Sequence, residues 1–272
     1  MRYTGIQPQY FPRLHYFARI LNTDVFVLRD DAQFVRKHKY PDGKTGKSYQ
    51  AHTPIKTPAG IFLLSLPTKH DGFKPLYKTG ISYDLPWVED HLKTIHINYA
   101  NSPYFEKVFK DLNTVFSSKF NTIASLNTTT IIWGILYLLG EKIEKEGDLN
   151  LDRVNKTLKK QNKFRLKNIY KATNAKATSD LKKFDSLSPN EKIIALCEEF
   201  GANEDYCGGT GVAAYVDHEI FKKKGITINV QDWNGKPYKQ LFQKQQGFIP
   251  NLSVLDLLFN VSSDEALSIL NS

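Results

Sequence analysis

The sequence predicts an α/β protein, with a Rossmann-like parallel sheet in the amino-terminal region, a mostly helical remainder and a second short βαβ unit. Three observations lead there. Residues 3 to 28 read as strand, helix and strand, a pattern that pairs parallel strands through a helical crossover. Residues 204 to 232 repeat that pattern, and residues 86 to 145 carry apolar side chains at helical spacing. The organisation that follows is an α/β region over 1–120 and a mainly helical region over 121–272, packed on the first and holding the βαβ unit at 204–232.

In chain order, Tyr3 to Gln7 is a short apolar strand that Pro8 and Pro12 terminate. His15 to Asn22 puts Tyr16, Phe17, Ile20 and Leu21 on one helical face, and Asp24 to Leu28 is a buried strand. Residues 36 to 85 hold turn signals, Pro41-Asp42-Gly43 and Thr57-Pro58-Ala59-Gly60, around the strand-like Ile61 to Leu66. Helices are expected over Trp87 to Asn98, from Ser102-Pro103 onward with Ser102 as cap, and over Thr122 to Lys145. Residues 147 to 185, rich in lysine and asparagine and weakly periodic, are expected to be a mobile connection. A capping box at Ser188 to Glu191 opens a helix ending at Gly201. Glu204 to Cys207, Val212 to Lys224 and Ile226 to Val230 form the second βαβ unit. Leu252 to Asn260 reads as an amphipathic helix capped by Asn251, and Ser262 caps the last helix.

Composition narrows the function classes. The chain has 272 residues, 41% hydrophobic and 12% aromatic, which excludes disordered and fibrous classes. The longest apolar run, Ile131 to Leu139, is far below the about 20 residues that span a bilayer. The start, Met1 to Pro8, lacks the apolar stretch of a secretory signal, so a cytoplasmic protein with Cys197 and Cys207 as reduced thiols is expected. A net charge of +9 favours an anionic ligand. The lysines are scattered, as in 156–167 and Lys222-Lys223-Lys224, without aromatic interleaving, so a nucleotide or nucleotide sugar is expected as partner, not nucleic acid. Oligomeric state is not legible.

Gly43 to Ser48 ends like a phosphate-cradling loop, but the first glycine of that motif would fall at Pro41, so a lysine-rich hairpin tip is expected. Gly208, Gly209 and Gly211, the last two within the G-x-G-x-x-A spacing of Gly209 to Ala214 and with Asp232 beyond the next strand, make a candidate phosphate-binding turn. In parallel sheets ligands bind beyond the carboxyl ends of strands. There the chain places Gln7, Gln9, Arg13 and His15 after the first strand, and Asp30, Asp31 and Gln33 after the second. The helix starting near Arg13 would aim its amide dipole at a phosphate, and Asp30 or Asp31 would hold Mg2+. His15, Asp30 and Asp31 are the candidate catalytic residues; Gln7, Gln9, Arg13, Gln33 and Asn251 are candidates for substrate binding.

Ile6 to Phe17, with Asp24-Val25-Phe26-Val27 and Asp30-Asp31-Ala32-Gln33-Phe34, resembles the opening of the WbqC-like family, which carries Q-P-x-[YF]-x-P-x-x-G-Y-F and D-x-F-V-x-x-D-D-V-x-F blocks. Ser102 to Phe105, Glu191 to Ala202 and Phe248 to Phe259 match later family stretches. His15 replaces the family glycine, and Gln50-Ala51-His52-Thr53-Pro54-Ile55 lacks the asparagine–arginine pair of a W-x-x-R-N-x-I segment. The resemblance implies a place in surface-polysaccharide and O-antigen biosynthesis, as a transferase moving a nucleotidyl, aminoacyl or glycyl group to an amino sugar. The turn before His15 also resembles the H-I-G-H-type loop of nucleotidylyl transferases. A noncatalytic nucleotide-sugar or assembly-partner binding protein and a dinucleotide-dependent enzyme using Gly209 to Ala214 are the alternatives.

Overall fold

The computed structural model describes residues 1–39, 45–69, 72–209, 212 and 216–271. The strands are β1 (Arg2–Ile6), β2 (Val25–Leu28), β3 (Lys37–Lys39), β4 (Thr45–Lys47), β5 (His52–Thr57), β6 (Gly60–Ser65), β7 (Asn168–Lys171), β8 (Glu204–Cys207) and β9 (Thr227–Val230). The helices are α1 (Leu14–Leu21), α2 (Trp87–Tyr99), α3 (Phe105–Val115), α4 (Ile123–Leu139), α5 (Leu151–Leu158), α6 (Leu181–Ser186), α7 (Pro189–Glu199), α8 (His218–Lys223), α9 (Gln243–Gln246), α10 (Val254–Asn260) and α11 (Ser263–Leu270).

Five strands form one parallel sheet in the order β7-β2-β1-β8-β9. Counted along the chain, these are the third, second, first, fourth and fifth sheet strands, the order of dinucleotide-binding folds. The two βαβ units foreseen in the sequence therefore join through the β1–β8 pair. The small hairpins β3–β4 and β5–β6 stand apart from this sheet. β2 is buried along its whole length because it is covered on both faces. Phe26 and Leu28 enter a core with α1, α4, α10 and α11, while Val25 and Val27 face a second core holding Phe184, Ile194, Cys197 and Phe221.

α4 is buried almost throughout, opened by a Thr122–Ser125 capping box and stopped by Gly140 at φ 78. It therefore ends well before the expected Lys145, because glycine adopts the left-handed cap without steric cost. A Cβ on Gly134 would lie 2.6 Å from Phe17 Cζ, so this glycine admits α1 close against α4. Among the described residues, no helix is long and apolar enough to cross a membrane.

Several other expectations change. The stretch expected to be a mobile connection contains α5, α6 and the edge strand β7. The Ser102 hydroxyl donates to the Tyr99 carbonyl at 2.7 Å and so closes α2, and α3 begins only at Phe105. α10 is capped by Ser253, not Asn251, and all its residues are buried, so it is a core helix and not an amphipathic one. The hairpin reading of Gly46 to Ser48 holds, with β4 on β3; Pro41 to Lys44 lie outside the described residues.

Candidate functional site

The direction of chain progression reverses between β1 and β8, and open α/β sheets generally bind ligands beyond the carboxyl ends of the strands at such a reversal. On the β1 side the turn from Gln7 to Arg13 carries Phe11 at φ 37. Neighbours hold this costly conformation. The Phe11 carbonyl accepts from Thr53 Oγ1 at 2.7 Å and Ser253 Oγ at 2.9 Å, and its ring packs edge-on against Tyr10, Phe116 and Trp133. Gln7 is exposed, and its carbonyl accepts from the Tyr16 hydroxyl at 3.2 Å. Gln9 is half-buried, and its Oε1 is buried without a hydrogen-bond partner among the described residues.

The first amides of α1 are already engaged. Leu14 N–H donates to the Leu252 carbonyl at 3.1 Å, and His15 N–H donates to Asn251 Oδ1 at 3.0 Å. The helix end foreseen as a phosphate cradle is thus sealed by the 251–254 segment, fastened by Val254 N–H to the Pro12 carbonyl at 2.8 Å. The cationic groups lie beside it. The Arg13 guanidinium stacks 3.7 Å over the Tyr49 ring. Arg19 Nε donates to Gln231 Oε1 at 2.8 Å, and Gln231 Nε2 donates to the His15 carbonyl at 2.8 Å. A Cβ on Gly208 would lie 2.6 Å from Arg19 Nη2, so the guanidinium rests against a position only glycine leaves open. Among the described residues no carboxylate forms a salt bridge with Arg19. Burial, with Arg13 and Arg19 nearby, pushes the His15 imidazole down to about 4. Burial raises the Asp205 carboxyl on β8 to about 7 despite Arg19, leaving this cation largely uncompensated at lower pH.

Gly209 follows Gly208 beyond β8; Gly211 lies outside the described residues. Asp232 is exposed beyond β9 and accepts from Asn234 Nδ2 at 3.3 Å. Cys197 is buried and burial holds its thiol up, while Cys207 is pushed up to about 12, so neither is an activated nucleophile.

Asp30, Asp31 and Gln33 form a separate group beyond β2. Asp30 is 2% exposed; its oxygens accept from Thr173 N–H at 3.0 Å and Thr173 Oγ1 at 2.7 Å, and burial raises its carboxyl while those bonds lower it. Asp31 receives a two-pronged fork from Arg29, at 2.8 and 2.9 Å. Arg29, Asp31 and Gln33 line a cleft of about 410 Å³ with Lys74, Asp185 and Lys192, on the side of α6 and α7. Among the described residues, no hydrogen bond or ion pair joins this group to His15, and no three His, Cys, Asp or Glu side chains gather as a metal site. The aspartate pair is a poor fit for the expected Mg2+: the Arg29 guanidinium already balances the charge of Asp31, and burial raises the Asp30 carboxyl, so little negative charge is left to hold a dication.

The structure thus brings Arg13, His15, Asn251 and Gly208 to one edge, with Gln7 and Gln9 in the adjoining turn. Arg19 and Gln231 were not singled out from the sequence. The available signal for Arg19 was its i+4 spacing from His15, which puts both on one face of α1.

The sequence pattern of the WbqC-like protein family matches residues 7–267. The uncharacterized protein Rv1507c of Mycobacterium tuberculosis is 25% identical over 261 residues, covering 95% of this chain and 93% of that protein. No solved structure matches significantly.

Proposed function

The chain belongs to the WbqC-like protein family, and from that premise we propose that it is a transferase in surface-polysaccharide or nucleotide-sugar modification that grips a nucleotide or nucleotide sugar by its phosphates at the β1–β8 edge. The observation that carries this reading is the Arg19 guanidinium, held by Gln231 against Gly208 at the reversal of strand order, with no carboxylate salt bridge among the described residues. A half-buried arginine that no carboxylate among the described residues engages in a salt bridge favours an anionic ligand, and its planar fork suits phosphate. A nucleotidyl or an aminoacyl group, including glycyl, is the proposed cargo, and an amino sugar the acceptor. A second reading, a dinucleotide-dependent enzyme, is favoured by the strand order together with Gly208, Gly209 and the exposed Asp232.

Thermal-shift titration with ATP, CTP, UDP-sugars and NAD, each with and without magnesium, separates these. Stabilisation by a nucleoside triphosphate or nucleotide sugar is expected, with turnover once an amino sugar is added. Stabilisation by NAD alone would favour the second reading. Binding without turnover against any acceptor would leave a noncatalytic nucleotide-sugar binding protein, and tight, steeply salt-dependent DNA binding would contradict both the transferase and the dinucleotide-enzyme readings.

A further inference from the structure

We propose that His15 is the general base of the transfer, acting through Nε2, and that Asn251 is the positioning residue that fixes the ring in the required tautomer; this deepens, and rests on, the transferase reading of the β1–β8 edge. Asn251 Oδ1 stands 3.0 Å from the His15 backbone nitrogen and 3.0 Å from Nδ1. A backbone N–H can only donate, so the side-chain atom facing it is the amide oxygen, an acceptor. Nδ1 facing the same oxygen must therefore carry the ring proton. That leaves a lone pair on Nε2, for which no hydrogen-bond partner exists among the described residues. Asn251 holds this geometry at φ 54, a left-handed conformation that asparagine tolerates better than most residues and that tends to persist at functional sites. The contact spans 236 residues of sequence, so the carboxyl-terminal segment completes a group that the first βαβ unit begins.

Charge completes the argument. The groups acting on the ring are Asn251, which bonds it, Arg13 at the helix cap and Arg19 one turn on; Gln231 bonds the His15 carbonyl and Arg19, and Asp205 on β8 interacts electrostatically with Arg19. Burial first, and then the two cations, keep the ring neutral, with its lone pair available but weakly basic. A donor phosphate bound by the arginines would cancel their repulsion and raise the ring's basicity towards neutrality, where general bases work best. In the step itself, the acceptor's N–H or O–H proton moves to Nε2 as its nitrogen or oxygen bonds to the carbonyl carbon or phosphorus being transferred. The bond to the leaving group breaks with its electron pair, and the imidazolium then returns the proton to that group or to solvent. The ring therefore acts as a base and not as a hydrogen-bond donor to the substrate, because its one N–H is spent on Asn251.

Long-range 1H–15N correlation on the uniformly labelled wild-type chain tests this without any variant. The expected result is a neutral His15 at pH 7 protonated on Nδ1, whose titration moves up by about one pH unit or more with saturating inorganic pyrophosphate. Protonation on Nε2, or a charged ring at pH 7, would overturn the base assignment whatever pyrophosphate does. Failure of pyrophosphate to bind would overturn the anion-site reading and, with it, the role assigned to the base. In a turnover assay with the donor from the panel above, His15→Gln should lower kcat about a hundredfold or more with little change in KM. Asn251→Asp should restore the ring's orientation with added negative charge, so the acid limb of the pH profile should shift upward; an unshifted profile would count against the positioning role.

Discussion

Asp256→Ala is expected to cost about 3 to 5 kcal/mol of stability, the usual penalty for removing one partner of a buried charged network. Asp256 is wholly buried in α10, where it accepts from the Tyr99 hydroxyl at 2.9 Å, the Tyr238 hydroxyl at 2.6 Å and Gln240 Nε2 at 3.0 Å. Lys56, also fully buried, donates to Gln240 Oε1 at 2.9 Å and to the Gly247 carbonyl at 2.5 Å. Burial raises the carboxyl of Asp256 and lowers the ammonium of Lys56, and the mutual attraction and hydrogen bonds offset it. Alanine would leave two hydroxyls and an amide N–H without their carboxylate acceptor and would take away the negative charge that attracts the Lys56 ammonium. Tyr238→Phe removes one bond and should cost only about 1 kcal/mol. Urea unfolding followed by tryptophan fluorescence measures both; a loss below about 1 kcal/mol for Asp256→Ala would contradict the network's role. The same network anchors the segment that carries Asn251, so damage here should also loosen the His15 tautomer.

The second large effect depends on pH. Burial raises Asp205 from its ordinary 3.8 to about 7. Between those values the folded protein keeps a proton that the unfolded chain releases, so stability falls as pH rises through that window and levels off above it. From pH 5 to pH 8 the wild type should therefore lose about 3 kcal/mol more than Asp205→Asn, about two pH units at 1.36 kcal/mol each. The depressed His15 and His91 act oppositely: their contribution is lost as pH falls from 6.5 through about 4. They titrate alike in both proteins, so they drop out of the comparison. Parallel pH–stability curves would show that Asp205 is ionised or solvated in the fold.

Much of the sheet was legible because β1, α1 and β2 carry simple apolar patterns ended by prolines or polar residues. β7 was not, because only Ile169 of Asn168-Ile169-Tyr170-Lys171 is buried, the signature of a short edge strand with little pattern to read. The strand order was also beyond sequence reasoning, since it depends on β8 pairing with β1 across about 200 residues. At the site, His15, Arg13, Gly208 and Asn251 were recognisable as residues, but not the bond between His15 and Asn251. The aspartate pair looked free in sequence because the Thr173 donors that hold Asp30 come from a turn 143 residues away.

Arg19, held against Gly208, is the proposed anion site. Calorimetric titration with inorganic pyrophosphate, comparing wild type with Arg19→Ala and Gly208→Ala, tests it most directly. Lys160→Ala serves as control, because Lys160 lines a separate groove of about 470 Å³ with Arg153, Lys156 and Lys163. Gly208→Ala should displace only the far end of a flexible arginine, so melting should change little. A charge-assisted bond contributes about 1.5 to 3 kcal/mol, so both site variants should weaken binding about tenfold to a hundredfold while the control does not. Equal affinity in wild type and both site variants, or loss only in Lys160→Ala, would contradict the account.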